Sequence, residues 1–356
     1  MRKERPFWLS QAYFGENMMR ILITGRNGYI GNALADWLAQ WPDAYGVDKV
    51  SLRGEDWKTH SFRGYDVVFH GAGLAHDNRA SADEQDFVNR RLAIAAAEKA
   101  KGEGVRLFLL MSTMAVYGKE SRMGKKCEIG PYTAPDPQTA YGRSKLLAEN
   151  GVMALHDDDF AVRIIRSPMV YGANCPGNYR RLRNVALRFG IVPNIHNERS
   201  MIYISHLCEF LRLCMHLGEE KTHLMEDTEG RPADPADLAS QENPTGARFP
   251  RSGILFPMDT EPFCTAQVME WIAQANGNKR IKSRLLGAWV RVGAAILPVI
   301  QKAFGNLTYT EGLSSIPPEA YCRMRLEEAV RETEAKWGST DGTAASRSEA
   351  QTKESS

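Results

Sequence analysis

The chain has 356 residues, 45 of them Lys or Arg and 43 Asp or Glu, for a formal net charge of +2. That length suits one large domain or two coupled ones, and the charge balance supplies no strong overall field for nucleic acid or an anionic membrane. Six cysteines (Cys127, Cys175, Cys208, Cys214, Cys264, Cys322) stand without a C-x-x-C pair or a Cys/His cluster, so we expect reduced thiols, a cytoplasmic setting and no metal centre.

Residues 1–18 carry Arg2, Lys3 and Arg5, but Ser10, Gln11, Glu16 and Asn17 interrupt any apolar core of an export signal, and a poorly ordered extension is expected. Residues 20–24 (RILIT) form a short β-branched apolar run that stops at Gly25, the pattern of a buried strand. The turn Gly25-Arg26-Asn27-Gly28-Tyr29-Ile30-Gly31 then opens an amphipathic helix to about residue 40. Strand, glycine turn and helix bring backbone N–H groups to one point where a pyrophosphate can bind, so Gly25, Gly28, Tyr29, Ile30 and Gly31 are candidate dinucleotide contacts. Residues 44–48 read as the second strand, ending on Asp48. A carboxylate there accepts hydrogen bonds from an adenosine ribose and repels a 2′-phosphate, which favours NAD; Arg26 and Lys49 offset that repulsion and keep NADP open.

Residues 65–70 form a strand running into Gly71-Ala72-Gly73, where small residues let a cofactor lie against backbone, with Ala72 as the candidate contact. His70 and His76, without acidic or thiol partners at ligand spacing, read as packing or hydrogen-bonding residues. Residues 81–101 are helical, with Phe87, Leu92, Ala95 and Ala96 on one face and Gly102 and Gly104 at the end. The very apolar strand 105–111 follows and delivers Thr113 to a strand's carboxyl end. Such alternation of helices with continuous apolar strands predicts an α/β, doubly wound parallel sheet with both faces covered and ligands at the carboxyl ends of its strands.

In the helical run 140–149, Tyr141 and Lys145 lie four apart and so on one face. A phenol beside an ammonium is a tuned acid, able to exchange a proton with an alcohol. Beyond a further strand at 160–165, Asn178 opens a basic helix bearing Arg180, Arg181, Arg183 and Arg188, and residues 197–204 read as a strand carrying Arg199. An arginine near a ligand cleft suits a diphosphate, because its planar fork pairs two oxygens at once. Residues 218–252 are polar and aperiodic, an inserted loop; 254–256 read as a strand and 265–275 as a helix. The apolar stretch 285–304 is interrupted by Arg291, Pro298 and Lys302 and is too charged to span a bilayer. Burial against a second lobe is expected for it, with a subunit or monotopic membrane contact as alternatives. The tail after Trp337 is low-complexity.

Together Thr24-Gly25-x-x-Gly28-x-x-Gly31, Ser112-Thr113-x-x-Val116-Tyr117-Gly118 and Tyr141-x-x-x-Lys145 resemble the extended short-chain dehydrogenase/reductase family, in particular its nucleotide-sugar epimerases and 4-keto-sugar reductases. The resemblance implies a Rossmann domain over 19–167, with a returning segment about 200–217, that binds NAD or NADP. It also implies a smaller C-terminal α/β lobe, 168–199 and 253–337, that holds a nucleoside-diphosphate sugar, between the extension 1–18, the insert 218–252 and the tail 338–356. By position, Thr113 would hydrogen-bond the sugar C4 oxygen, Tyr141 act as general acid/base, Lys145 grip the nicotinamide ribose, and Asn178 and Arg199 contact the diphosphate; a homodimer is also implied. Where the family's 4,6-dehydratases have Asp-Glu after the catalytic Thr, this chain has Met114-Ala115, which disfavours dehydration. Arg166-Ser167-Pro168-Met169 differs likewise from the galactose epimerases. The implied activity is a UDP-hexose or UDP-N-acetylhexosamine 4-epimerase, with a 4-keto-6-deoxy-sugar reductase second and a non-catalytic dinucleotide sensor third.

Overall fold

The computed structural model describes residues 18–75, 80–119, 123–216, 253–278, 281–296, 298–314 and 316–338. The inserted loop 218–252, His76, and all but Met18 and Gly338 of the expected extension and tail lie outside the described residues.

Six strands build one parallel sheet: β1 Met19–Thr24, β2 Tyr45–Val50, β3 Val67–His70, β4 Leu107–Thr113, β5 Ala161–Ser167 and β6 Gly253–Leu255. Their order is β6-β5-β4-β3-β1-β2. The chain steps from β1 to β2 on one side and then crosses to β3 on the other, so the carboxyl ends of β1 and β3 flank a topological switch point. Thr24 is in register with His70, which sets the Gly25 and Gly71 turns side by side.

The helices are α1 Tyr29–Leu38, α2 Leu92–Gly102, α3 Ala140–Met153, α4 Asn178–Arg188, α5 Ile204–His216, α6 Thr265–Ala275, α7 Arg284–Ile296, α8 Pro298–Phe304 and α9 Leu326–Ala335; α1 and α5 cover one face of the sheet and α2 and α3 the other, while the rest pack on one another and on short strand pairs. Side chains alternate across each strand, so Ile21, Ile23, Phe69 and Leu109 join Leu34, Leu38, Leu207 and Phe210 in one buried layer. Leu22, Val68, Phe108 and Leu110 meet Ala93, Ala96, Ala97, Ala100, Ala148 and Val152 in the other.

Two expected elements differ. The helical run into α2 passes through a π turn, Phe87–Arg91, which leaves Phe87 51% exposed, while Leu92, Ala95 and Ala96 pack on the core as expected, beside the buried Ala93, Ala97 and Ala100. A π turn adds one residue, about 100° of rotation, and displaces the face that an uninterrupted period of 3.6 predicts. The strand expected at 197–204 shortens to Met201–Tyr203, paired with Met169–Tyr171, and α5 begins at Ile204. Short parallel pairs also join Ile191–Pro193 to Ile281–Ser283 and Glu128–Ile129 to Thr308–Tyr309.

Among the described residues His206, Asp259 and Cys322 form one group whose side chains could hold a metal ion. Asp259 already accepts from the Tyr171 hydroxyl at 2.9 Å and the Tyr203 N–H at 3.2 Å and lies 2.8 Å from His206 Nδ1, so we read it as a structural hub.

Candidate active site

Thr113, at the last position of β4, caps the single turn Met114–Tyr117 by accepting from the Ala115 N–H at 3.1 Å. Thr139 caps α3 by accepting from the Gly142 N–H at 3.0 Å, which fixes Tyr141 and Lys145 in its first two turns. The Thr113 hydroxyl faces the Tyr141 phenol, where it favours the ionised form. Burial pushes that phenol up to about 12, against the opposing effect of the Thr113 hydroxyl. The downward tuning by Lys145 that the spacing suggests is not what dominates here. Lys145 is buried and its ammonium donates to Met111 O at 2.9 Å. Burial brings its pKa down to about 8, while Glu149 one turn on acts in the opposite direction.

Behind this pair lies a charged network that pattern reading missed. Glu149 and Arg166 are 2% and 5% exposed, and Arg166 donates Nη2 to Glu149 Oε2 at 2.6 Å and Nε to Oε1 at 3.2 Å. Arg166 Nη1 also reaches the Tyr117 hydroxyl at 2.8 Å, and the Ser112 hydroxyl donates to Glu149. Bidentate pairing and these extra bonds satisfy two charges removed from water, and they tie α3 to the ends of β4 and β5 where Thr113 sits. Asn89, from the π turn, is fully buried: its Oδ1 accepts from the Leu74 N–H at 2.8 Å and its Nδ2 donates to Ser144 Oγ at 3.1 Å. The signal that could have found it is an uncharged amide among charged residues, leading into an alanine-rich stripe.

The crevice fits a dinucleotide. Gly25 has φ +94°, and a Cβ there would come within 3.0 Å of Ala72 Cα. A Cβ on Gly31 would meet Ile23 Cγ2 at 2.9 Å, so α1 seats directly on β1. Gly28, the residue before α1, has no side chain to satisfy the first-turn N–H groups, which leaves them for a diphosphate. The buried hydroxyl of Tyr29 and Nε2 of His70 have no hydrogen-bond partner among the described residues. His70 Nδ1 lies 3.0 Å from Thr24 Oγ1, and burial and the nearby Lys145 hold its pKa down to about 3, so the ring is neutral. Gly25, Gly28, Tyr29, Ile30, Gly31 and Ala72 thus surround the switch point, and Lys145 Nζ lies 3.2 Å from where a Cβ on Gly73 would stand.

Asp48 lies elsewhere. Leu22 pairs with Asp48 and Thr24 with Val50, so β2 runs two residues past the acid, about 7 Å at a strand's usual rise. Its carboxylate accepts from Tyr65 OH at 2.8 Å and pairs with Arg20 at 3.6 Å, groups at the amino ends of β3 and β1. Residue counting mistook the acid for the strand's end. Next to the glycine turn, where the Gly25 N–H meets Val50 O at 2.9 Å, come Ser51, Lys49 and the exposed Arg26 and Arg53. Arg26 donates to Lys49 O at 3.3 Å and Lys49 to Asn32 Oδ1 at 2.8 Å; none of Arg26, Lys49 and Arg53 pairs with a carboxylate among the described residues.

Asn178 is exposed at the first position of α4. Arg199 is committed differently from the expectation: Nη1 donates to Lys302 O at 2.7 Å and Gly305 O at 3.3 Å, at the carboxyl end of α8, where a positive charge complements the helix dipole.

The model of the NAD dependent epimerase/dehydratase family matches residues 21–212. UDP-glucose 4-epimerase of Vibrio cholerae is 25% identical over 246 residues, 62% of this chain and 74% of that protein. The solved structure of UDP-glucuronic acid 4-epimerase from Bacillus cereus in complex with NAD superposes with a TM-score of 0.63 at 16% identity, covering 89% of this chain and 98% of that one. For dTDP-4-dehydrorhamnose reductase from Bacillus anthracis in complex with NADP the TM-score is 0.58 at 16% identity, covering 90% of this chain and 100% of that one.

Proposed function

The chain belongs to the NAD dependent epimerase/dehydratase family, and on that premise we propose that it is a nucleotide-sugar 4-epimerase working through a transient 4-keto sugar. The observation that carries this reading is the convergence of Thr113, Tyr141 and Lys145 at one strand end with Met114 and Ala115 beside them, side chains that transfer no proton. A bound nicotinamide dinucleotide would accept and return the hydride at C4. Thr113 would hold the C4 oxygen, and Tyr141 would take up and give back its proton. Lys145, within reach of the Gly73 turn, would orient the ribose and supply positive charge next to the phenol. Asn178 remains our proposed diphosphate contact; Arg199 serves there only if its hold on Lys302 O and Gly305 O leaves another N–H free. Incubating the purified chain and dinucleotide with UDP-GlcNAc, UDP-GalNAc and their hexose counterparts tests the reading: interconversion supports it, and no conversion with cofactor demonstrably bound sinks it.

Two observations favour a second reading, a 4-keto-sugar reductase. A phenol pushed up to about 12 is poised to donate a proton, the direction that ketone reduction needs. With the Asp48 carboxylate held by Tyr65 and Arg20, the cations nearest the glycine turn, Arg26, Lys49 and Arg53, would receive a 2′-phosphate, which suits NADPH. Under this reading the pair Arg26→Ala/Arg53→Ala weakens NADP+ binding about tenfold in titration calorimetry and leaves NAD+ nearly unchanged. Equal losses for both dinucleotides would remove the case for the 2′-phosphate.

A further inference from the structure

On α7 the large apolar side chains point outward. Leu285, Trp289 and Val292, spaced i, i+4 and i+7 on one face, are 78%, 73% and 59% exposed. The side that packs has small residues at its closest approach: Gly287 and Ala294 are buried, with Leu286 and Val290 half-buried, and a Cβ on Gly287 would meet Asn194 O at 3.0 Å, just past the strand Ile191–Pro193. That strand adds Ile191, 48% exposed, and Phe189 just before it is 55% exposed. A helix that buries its small residues and presents leucine, tryptophan and valine is built for an apolar environment outside the chain.

The charge around this face specifies the environment. Residues 271–310 contain Lys279, Arg280, Lys282, Arg284, Arg291 and Lys302 and no Asp or Glu. Lys282 pairs with Glu270 at 2.8 Å, whereas Arg284 and Arg291, exposed on the same helix, pair with no carboxylate among the described residues. The net charge of +2 for the whole chain conceals this local excess. No helix among the described residues is long and apolar enough to cross a membrane. We propose that the α7 face seats on the surface of a bilayer rich in anionic phospholipid, with Leu285, Trp289 and Val292 entering the headgroup region and Arg284 and Arg291 meeting lipid phosphates. A two-fold contact through the same face would bring two acid-free basic stretches together, and the like charges oppose it.

Sedimentation of the full chain with vesicles tests this proposal, which does not depend on the proposed activity. With about 30 mol % phosphatidylglycerol the bound fraction should exceed that on pure phosphatidylcholine about fivefold and fall as salt is raised. The pair Leu285→Ser/Trp289→Ser should reduce binding about tenfold while dinucleotide affinity and circular dichroism stay unchanged. Arg284→Gln/Arg291→Gln should weaken binding less and flatten its salt dependence, and this pair decides the matter should the serine pair not fold. A chain that stays in the supernatant with both vesicle types overturns the proposal. So does a wild-type dimer that the serine pair converts to monomer, which would make the face a subunit contact.

Discussion

Around Tyr141, three buried polar side chains are held by named partners: Lys145 on Met111 O, Glu149 on Arg166 and Ser112, Asn89 on Ser144. At α7 the arrangement is reversed, with small residues packed inside and Leu285 and Trp289 outside. The first region has one geometry because every displaced partner would leave a polar group unsatisfied in a dry interior. In the second, the residues fully buried among those described are the small Gly287 and Ala294, and the largest side chains face outward.

If that contrast holds, substitutions at the two regions should differ in kind. The largest expected effect is Tyr141→Phe, which removes the proposed proton carrier: conversion rates measured by NMR should fall about 10²- to 10⁴-fold while dinucleotide affinity is kept. Next comes Arg166→Met, which leaves the Glu149 carboxylate buried without its partner and should cost about 3–5 kcal/mol in urea unfolding. Adding Glu149→Leu should return most of that loss, since a well-packed apolar pair can replace a buried ion pair.

A smaller effect separates charge from packing within the crevice. Lys145 titrates at about 8 in the folded chain against 10.5 as its ordinary value. Its folded pKa is depressed, so the unfolded chain binds more protons between these limits and stability rises with pH across that window. Lys145→Met should flatten the rise in thermal melts recorded from pH 8 to 10.5. Smallest of all, Trp289→Ser on the exposed face should change stability by less than about 0.5 kcal/mol. A loss like that of Arg166→Met would erase the contrast between the two regions.

Much of the sheet was legible in the sequence, because apolar strands bounded by Gly25, Gly71 and Gly102 carry a signal that tertiary context does not override. Tyr141, Lys145 and Thr113 were legible too, since spacing four along a helix and the end of a strand are local properties. What was hidden depended on register or phase. Asp48 was misplaced because only the β1–β2 pairing shows that the strand continues to Val50. Phe87 was misplaced, though Leu92, Ala95 and Ala96 were not, because nothing in the residues announces a π turn at Phe87–Arg91. Glu149 and Arg166 are 17 residues apart in sequence, and their pairing needs the packing of α3 on β5. For 285–304, a period of 3.6 reveals an apolar stripe but not which way it faces.

The proposed epimerase exchanges hydride at one sugar carbon, with Tyr141 as the proton carrier and no acid pair at Met114 and Ala115. A UDP-sugar deuterated at C4, turned over in ordinary water and analysed by NMR, tests it most directly. The account predicts an epimer that keeps its deuterium at C4 and gains no solvent proton at C3 or C5. Deuterium lost from C4 to water, or solvent hydrogen appearing at C5, would contradict it.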